Sequence, residues 1–175
     1  MSAVPESRLV FKSRAFAAKC VQESCEMAFR MAGIPRTRID MLMVMPSTDD
    51  HLKCYSRMDI SLDTFPYAGT TTSFESLLMG VPVVTLRGVG SSCVHAHNVG
   101  VSILHQMGLD ELIADDEDAY MRIAVDLATN PARMAELRKI LRRKLVQSPL
   151  CDGIRFMHNL EGLYTRVWRR WCEGG

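Results

Sequence analysis

The sequence predicts a Rossmann-like α/β domain with a parallel sheet, ending in several helices. Strand-like and helix-like segments alternate over residues 8–115, residues 58–80 read as strand, turn and helix start, and the pattern turns helical from residue 116 onward. Such alternation implies right-handed βαβ units and parallel strands. Ligands of these sheets bind beyond the C-terminal strand ends. With 175 residues, 47% of them hydrophobic and 23% charged, the chain suits one domain with a real core. It divides into an α/β core at about 8–115 and C-terminal helices at 116–175.

Each element has its own signal. Residues 8–12 form a first strand, with Lys12 and Arg14 flanking its end. Residues 15–32 read as a helix, stopped by Gly33-Ile-Pro35. Residues 39–44 are almost all apolar, as expected of a strand covered on both faces. Ser47-Thr-Asp-Asp50 caps a short helix over 52–57. The strand at 58–63 has Ile60 and Leu62 between small or polar neighbours, and Pro66, Ala68 and Gly69 then make a turn. The helix at 71–79 repeats Phe74, Leu77 and Leu78 at helical spacing. A strand at 81–86, a helix at 97–107 ending at Gly108, and a short strand at 112–114 complete the core. Helices at 118–129, 131–146 (with Pro131 at its first position) and 155–171 follow. The last carries Phe156, Leu160, Leu163, Val167, Trp168 and Trp171 as an apolar stripe.

Charge and cysteine content exclude several function classes. A net charge of +1 gives no bulk attraction to nucleic acid or membrane. The basic residues of 138–144 lack interleaved aromatics and read as a solvated helix face. No apolar run approaches the ~20 residues of a membrane span, and no apolar signal core opens the chain. The six cysteines include no CxxC pair, so reduced thiols are expected rather than disulfides or a metal site.

The chemistry concentrates around the 71–79 helix start. Thr70, Thr71 and Thr72 bring hydroxyls beside backbone N–H groups that lack helical partners, at an end carrying about half a positive charge. Such an end either caps itself or takes a phosphate. Glu75 lies one turn inside, within reach of sugar hydroxyls of a nucleotide held there. Val94-His-Ala-His-Asn98 runs from a loop into a helix start. His97 or Asn98 there either donates to a phosphate oxygen or serves as an ordinary cap, with His95 a weaker candidate. His95 and His97 with no third ligand nearby make a poor metal site, and no metal is expected. His51 is either a ligand-edge residue or a surface histidine.

The segment Asp59-Ile-Ser-Leu-Asp-Thr-Phe-Pro-Tyr-Ala-Gly-Thr-Thr-Thr, with Glu75-Ser-Leu and Met79-Gly-Val-Pro-Val-Val-Thr, resembles the nucleotide-sugar lobe of the plant SPINDLY proteins. Val94-His-Ala-His-Asn-Val-Gly-Val-Ser-Ile-Leu104 resembles the same branch. These are protein O-fucosyltransferases of the O-GlcNAc transferase superfamily, glycosyltransferase family 41. The resemblance runs from about residue 8 to 174. It implies the C-terminal lobe of a two-lobed GT-B enzyme. That enzyme transfers a sugar to Ser or Thr of nuclear and cytoplasmic proteins, inverting and without metal or cofactor. GDP-fucose is the first donor implied, with UDP-GlcNAc the alternative; a non-catalytic nucleotide-binding module is the other alternative. By the same resemblance the threonines hold the donor diphosphate, Glu75 binds the ribose, and His51 approaches the nucleotide. The catalytic base is not identified.

The sequence departs from that pattern in three ways. Gly88 to Cys93 is longer than the family's turn. A lysine upstream of Arg8, which steadies the donor phosphate in the family, is missing. The N-terminal lobe and tetratricopeptide repeats are missing as well, so a partner chain or an absent lobe is expected to cover Trp168 and Trp171.

Overall fold

The computed structural model describes residues 1–174. Strand β1 (Leu9–Lys12) leads through a short 3-10 turn into α1 (Lys19–Met31), and β2 (Ile39–Leu42) returns parallel to β1, with Leu9 opposite Ile39. Helix α2 (Thr48–Lys53) is capped by Ser47, whose hydroxyl accepts from the Asp50 amide, and continues as a 3-10 turn over Cys54–Arg57. Next come β3 (Ser61–Leu62), α3 (Thr71–Leu78), β4 (Val83–Leu86), α4 (His95–Gln106) and β5 (Ile113–Ala114). Helices α5 (Glu117–Thr129), α6 (Pro131–Gln147) and α7 (Gly153–Cys172) close the chain.

All strand pairs are parallel, as the alternation predicts, but the hydrogen bonds fall into two groups, β1–β2 and β3–β4–β5. The second group holds the core. Val83 and Val84 of β4 are buried among Leu77 of α3, Leu104 of α4, Leu127 of α5 and Leu141 of α6. Each such side chain contributes about 1.5–3 kcal/mol relative to exposure.

The two site-bearing helices end alike. Gly80 (φ 77°) and Gly108 (φ 62°) turn the chain in the left-handed region after α3 and α4. The amides of Val81 and Leu109 bond back to the carbonyls of Ser76 and Leu104, which fixes each exit.

Strand β2 differs from expectation. Ile39 is buried, but Asp40, Met41 and Leu42 are half-buried, and Met43 and Val44, beyond the strand end, are exposed. An edge strand of a two-stranded sheet has apolar residues without the second covering layer that a central parallel strand receives. Helix α7 also stands largely clear: Trp168 and Trp171 are 66% and 71% exposed. Helix α4 begins two residues earlier than the spacing predicts, since Val94 with its extended backbone is the residue before its first turn.

Candidate functional site

The N-terminus of α3 is open. Thr70 precedes the helix without any side-chain capping bond, and Thr70, Thr71 and Thr72 are all exposed. The self-capping alternative is therefore not what the threonines do. The three threonines follow β3 on the side of its C-terminal end, with the Thr72 hydroxyl lying close to Gly69.

That end is built on a buried carboxylate. Asp63 directly follows β3; its Oδ1 accepts from the Gly69 amide at 2.6 Å and its Oδ2 from the Thr85 hydroxyl at 2.8 Å. Burial pushes the Asp63 carboxyl above the ordinary aspartate range, while the amides of Gly69 and Thr64 and the Thr85 hydroxyl pull it back. Tyr120 of α5 donates to the Asp63 carbonyl at 2.8 Å. Burial, and then the Asp63 charge, raise the Tyr120 phenol well above its ordinary value, so it remains a donor. Gly100 makes the approach of α4 possible: a Cβ there would lie 2.3 Å from Asp63 Oδ2 and 2.5 Å from Thr85 Oγ1. Sequence reasoning missed this arrangement. Its one signal is a glycine inside the helical pattern of α4, which marks a close approach.

Glu75 is held from α2 and the turn after it. Its Oε2 lies 2.7 Å from His51 Nε2 and accepts from the Tyr55 hydroxyl at 3.1 Å. The Tyr55 hydroxyl also reaches the Thr72 carbonyl at 3.3 Å, linking the cluster to the first turn of α3. Burial, then the Glu75 carboxylate, raise the Tyr55 phenol, which therefore stays protonated. Lys12, at the end of β1, reaches the other ring nitrogen of His51. His51 and Glu75 are thus brought together at one edge, and Lys12 and Tyr55 join them. Tyr55 has no signal in the sequence, because its partner is twenty residues away.

The three candidates on α4 part company. His95 is exposed at the first position of the helix. Asn98 lies inside the helix rather than at its cap. Its Oδ1 accepts from the Gly88 amide at 3.0 Å and its Nδ2 donates to the Val94 carbonyl at 3.2 Å. Asn98 therefore fastens the 88–94 loop to α4. His97 is 5% exposed, and neither ring nitrogen has a partner among the described residues. Phe65 stacks over it at 6.4 Å and an interplanar angle of 8°, and Tyr120 meets the edge of Phe65 at 5.7 Å. A buried imidazole left unpaired costs about 1–3 kcal/mol.

Among the described residues, no group of three or more His, Cys, Asp or Glu could hold a metal ion, and no helix is long and apolar enough to cross a membrane. All six cysteines are unpaired.

Comparison with known proteins gives this edge its setting. SPINDLY of Solanum lycopersicum, described as a probable UDP-N-acetylglucosamine–peptide N-acetylglucosaminyltransferase, is 47% identical over 174 residues, covering 99% of this chain and 18% of its own length. The Arabidopsis thaliana SPINDLY is 45% identical over the same span, 19% of its length. A Caenorhabditis elegans UDP-N-acetylglucosamine–peptide N-acetylglucosaminyltransferase is 30% identical over 72% of this chain and 11% of its own. The chain thus spans under a fifth of the length of these relatives. A solved mutant of the Thermobaculum terrenum O-GlcNAc transferase superposes with a TM-score of 0.89 at 36% identity, over 98% of this chain and 32% of that one. The α/β architecture is accordingly that of part of a GT-B glycosyltransferase. Residues 1–160 match glycosyl transferase family 41, and the chain belongs to that family.

Proposed function

We propose that this chain is the donor-nucleotide-binding lobe of a protein O-glycosyltransferase. The enzyme transfers a sugar from a nucleoside diphosphate to Ser or Thr of nuclear and cytoplasmic proteins, with inversion and without a metal or cofactor. The observation that carries the reading is the uncapped start of α3, with exposed Thr70, Thr71 and Thr72 and with Glu75 fixed one turn inside.

The helix amides and threonine hydroxyls take the diphosphate oxygens, and the helix dipole favours their charge. Charge grows on the diphosphate as the glycosidic bond breaks. Donors already aimed at it lower the barrier without rearranging. Glu75 accepts from ribose hydroxyls. His97, buried with two unused nitrogens, is held ready for a phosphate oxygen once Phe65 moves aside. The base and the acceptor groove belong to the remainder of the polypeptide or to a partner chain, which also covers Trp168 and Trp171.

Residues 94–104 favour the SPINDLY branch and hence GDP-fucose, whereas the relatives' own names favour UDP-GlcNAc. The longer 88–93 loop, pinned by Asn98, supports a second reading, a nucleotide-binding module without transfer activity. Calorimetric titration of the chain with GDP and UDP separates the donors. We expect GDP to bind about tenfold more tightly than UDP, a difference of about 1.4 kcal/mol. Glu75→Ala is expected to weaken GDP binding by about 10- to 100-fold, the loss of a hydrogen bond to a charged group. A UDP preference would move the chain to the GlcNAc donors, and binding of neither would remove the nucleotide reading.

A further inference from the structure

We propose that Lys12 and His51 are positioning residues: Lys12 sets the tautomer of the His51 ring, and that ring holds Glu75 toward the ligand edge. An ammonium group only donates hydrogen bonds. The Glu75 carboxylate only accepts, so the ring proton sits on Nε2, and Nδ1 is the acceptor that faces Lys12. From there it donates to Glu75 Oε2 at 2.7 Å, the oxygen that also takes the Tyr55 hydroxyl. With Oε2 engaged twice, Oε1 has no hydrogen bond among the described residues and is the oxygen left for a ligand.

The relay has a second consequence. Lys12 ends β1, whose ladder joins only β2, whereas Glu75 lies on α3, beside the β3–β4–β5 ladder. Lys12, His51 and Glu75 thus couple the two strand groups through side chains at their shared edge. If Lys12 is lost, the ring is free to take the Nδ1–H form. The Nδ1–H form presents a bare Nε2 to the Glu75 carboxylate, acceptor facing acceptor, and Glu75 turns away. That Glu75 then grips a ribose rests on the function proposed above; the tautomer and the coupling do not.

Nitrogen-15 NMR of labelled histidine in the 175-residue chain, with GDP and UDP titrations alongside, tests the relay. We expect His51 to carry its proton on Nε2 in the wild type and in Lys12→Arg, which keeps a pure donor. Lys12→Met is expected to show mixed tautomers and a loss of nucleotide affinity of about tenfold, as supporting residues typically do. In a His51→Leu background Lys12→Met should cost nothing more, because the two act as one unit. An Nδ1–H tautomer in the wild type would overturn the proposal. So would an equal loss from Lys12→Met with and without His51, which would make Lys12 a direct ligand contact. If the wild type binds neither nucleotide, the ribose reading falls, and the histidine spectrum still decides the relay.

Discussion

Asp63→Ala is expected to cost about 2–4 kcal/mol of stability, the largest effect of any single change at this edge. The substitution leaves the Gly69 amide and the Thr85 hydroxyl without their acceptor. Each unpaired buried donor costs about 1–3 kcal/mol, offset in part by removing a desolvated charge. For a chain of this size the melting temperature should fall by roughly 4–16 °C. The Gly69 turn that presents Thr70–Thr72 should loosen at the same time, so nucleotide binding falls even where the fold survives. Urea denaturation followed by circular dichroism measures the first effect and calorimetric titration the second; unchanged stability would show that Asp63 supports nothing.

The same carboxylate gives a pH signature with a definite sign. Its folded-state pKa is raised, with burial as the largest cause. A group raised on folding contributes stability that is fully present below its unfolded pKa and is lost as pH rises through the folded value. Between the ordinary aspartate value and the raised one, wild type should therefore gain on Asp63→Asn as the solution is acidified. Taking the difference between wild type and the Asp63→Asn variant removes the acid losses of the other carboxylates, which both proteins share.

His97→Leu should separate stability from binding. The wild-type ring is buried with both nitrogens unpaired, so an apolar side chain of similar size is expected to raise stability by about 1 kcal/mol. If the imidazole is kept for a phosphate oxygen, nucleotide affinity should fall by about tenfold or more. Stability rising while affinity falls marks a group retained for function. A variant with unchanged affinity would make His97 a packing residue under Phe65.

Much of this is legible in the sequence for local reasons. The Thr70–Thr72 run after Gly69, with Glu75 one turn on, locates the open helix end because the turn chemistry and the amide geometry lie within eight residues. Pro131 and Gly108 mark a helix start and a helix end for equally local reasons. What is not legible depends on distant partners. Tyr55 and Lys12 gain their meaning only when α2, β1 and α3 converge on His51 and Glu75. Asp63 looks like any strand-end aspartate until Thr85 and Gly100 close around it. Asn98 suggests a cap, but α4 starts at His95, and the Asn98 side chain reaches back to the Gly88 amide. The exposure of β2 escapes the sequence because an apolar run shows that a surface is to be covered and not what covers it, whereas the α7 stripe reads from the start as a surface awaiting cover.

Titration of the chain with GDP, followed in its backbone amide NMR spectrum, decides whether the start of α3 is the donor site. The largest shifts are expected on Gly69, Thr70, Thr71, Thr72 and Ser73, with smaller ones at Glu75 and at residues 95–98. Shifts confined to another face, such as α7, or no shift with GDP in large excess over the chain, would contradict a donor site at the start of α3.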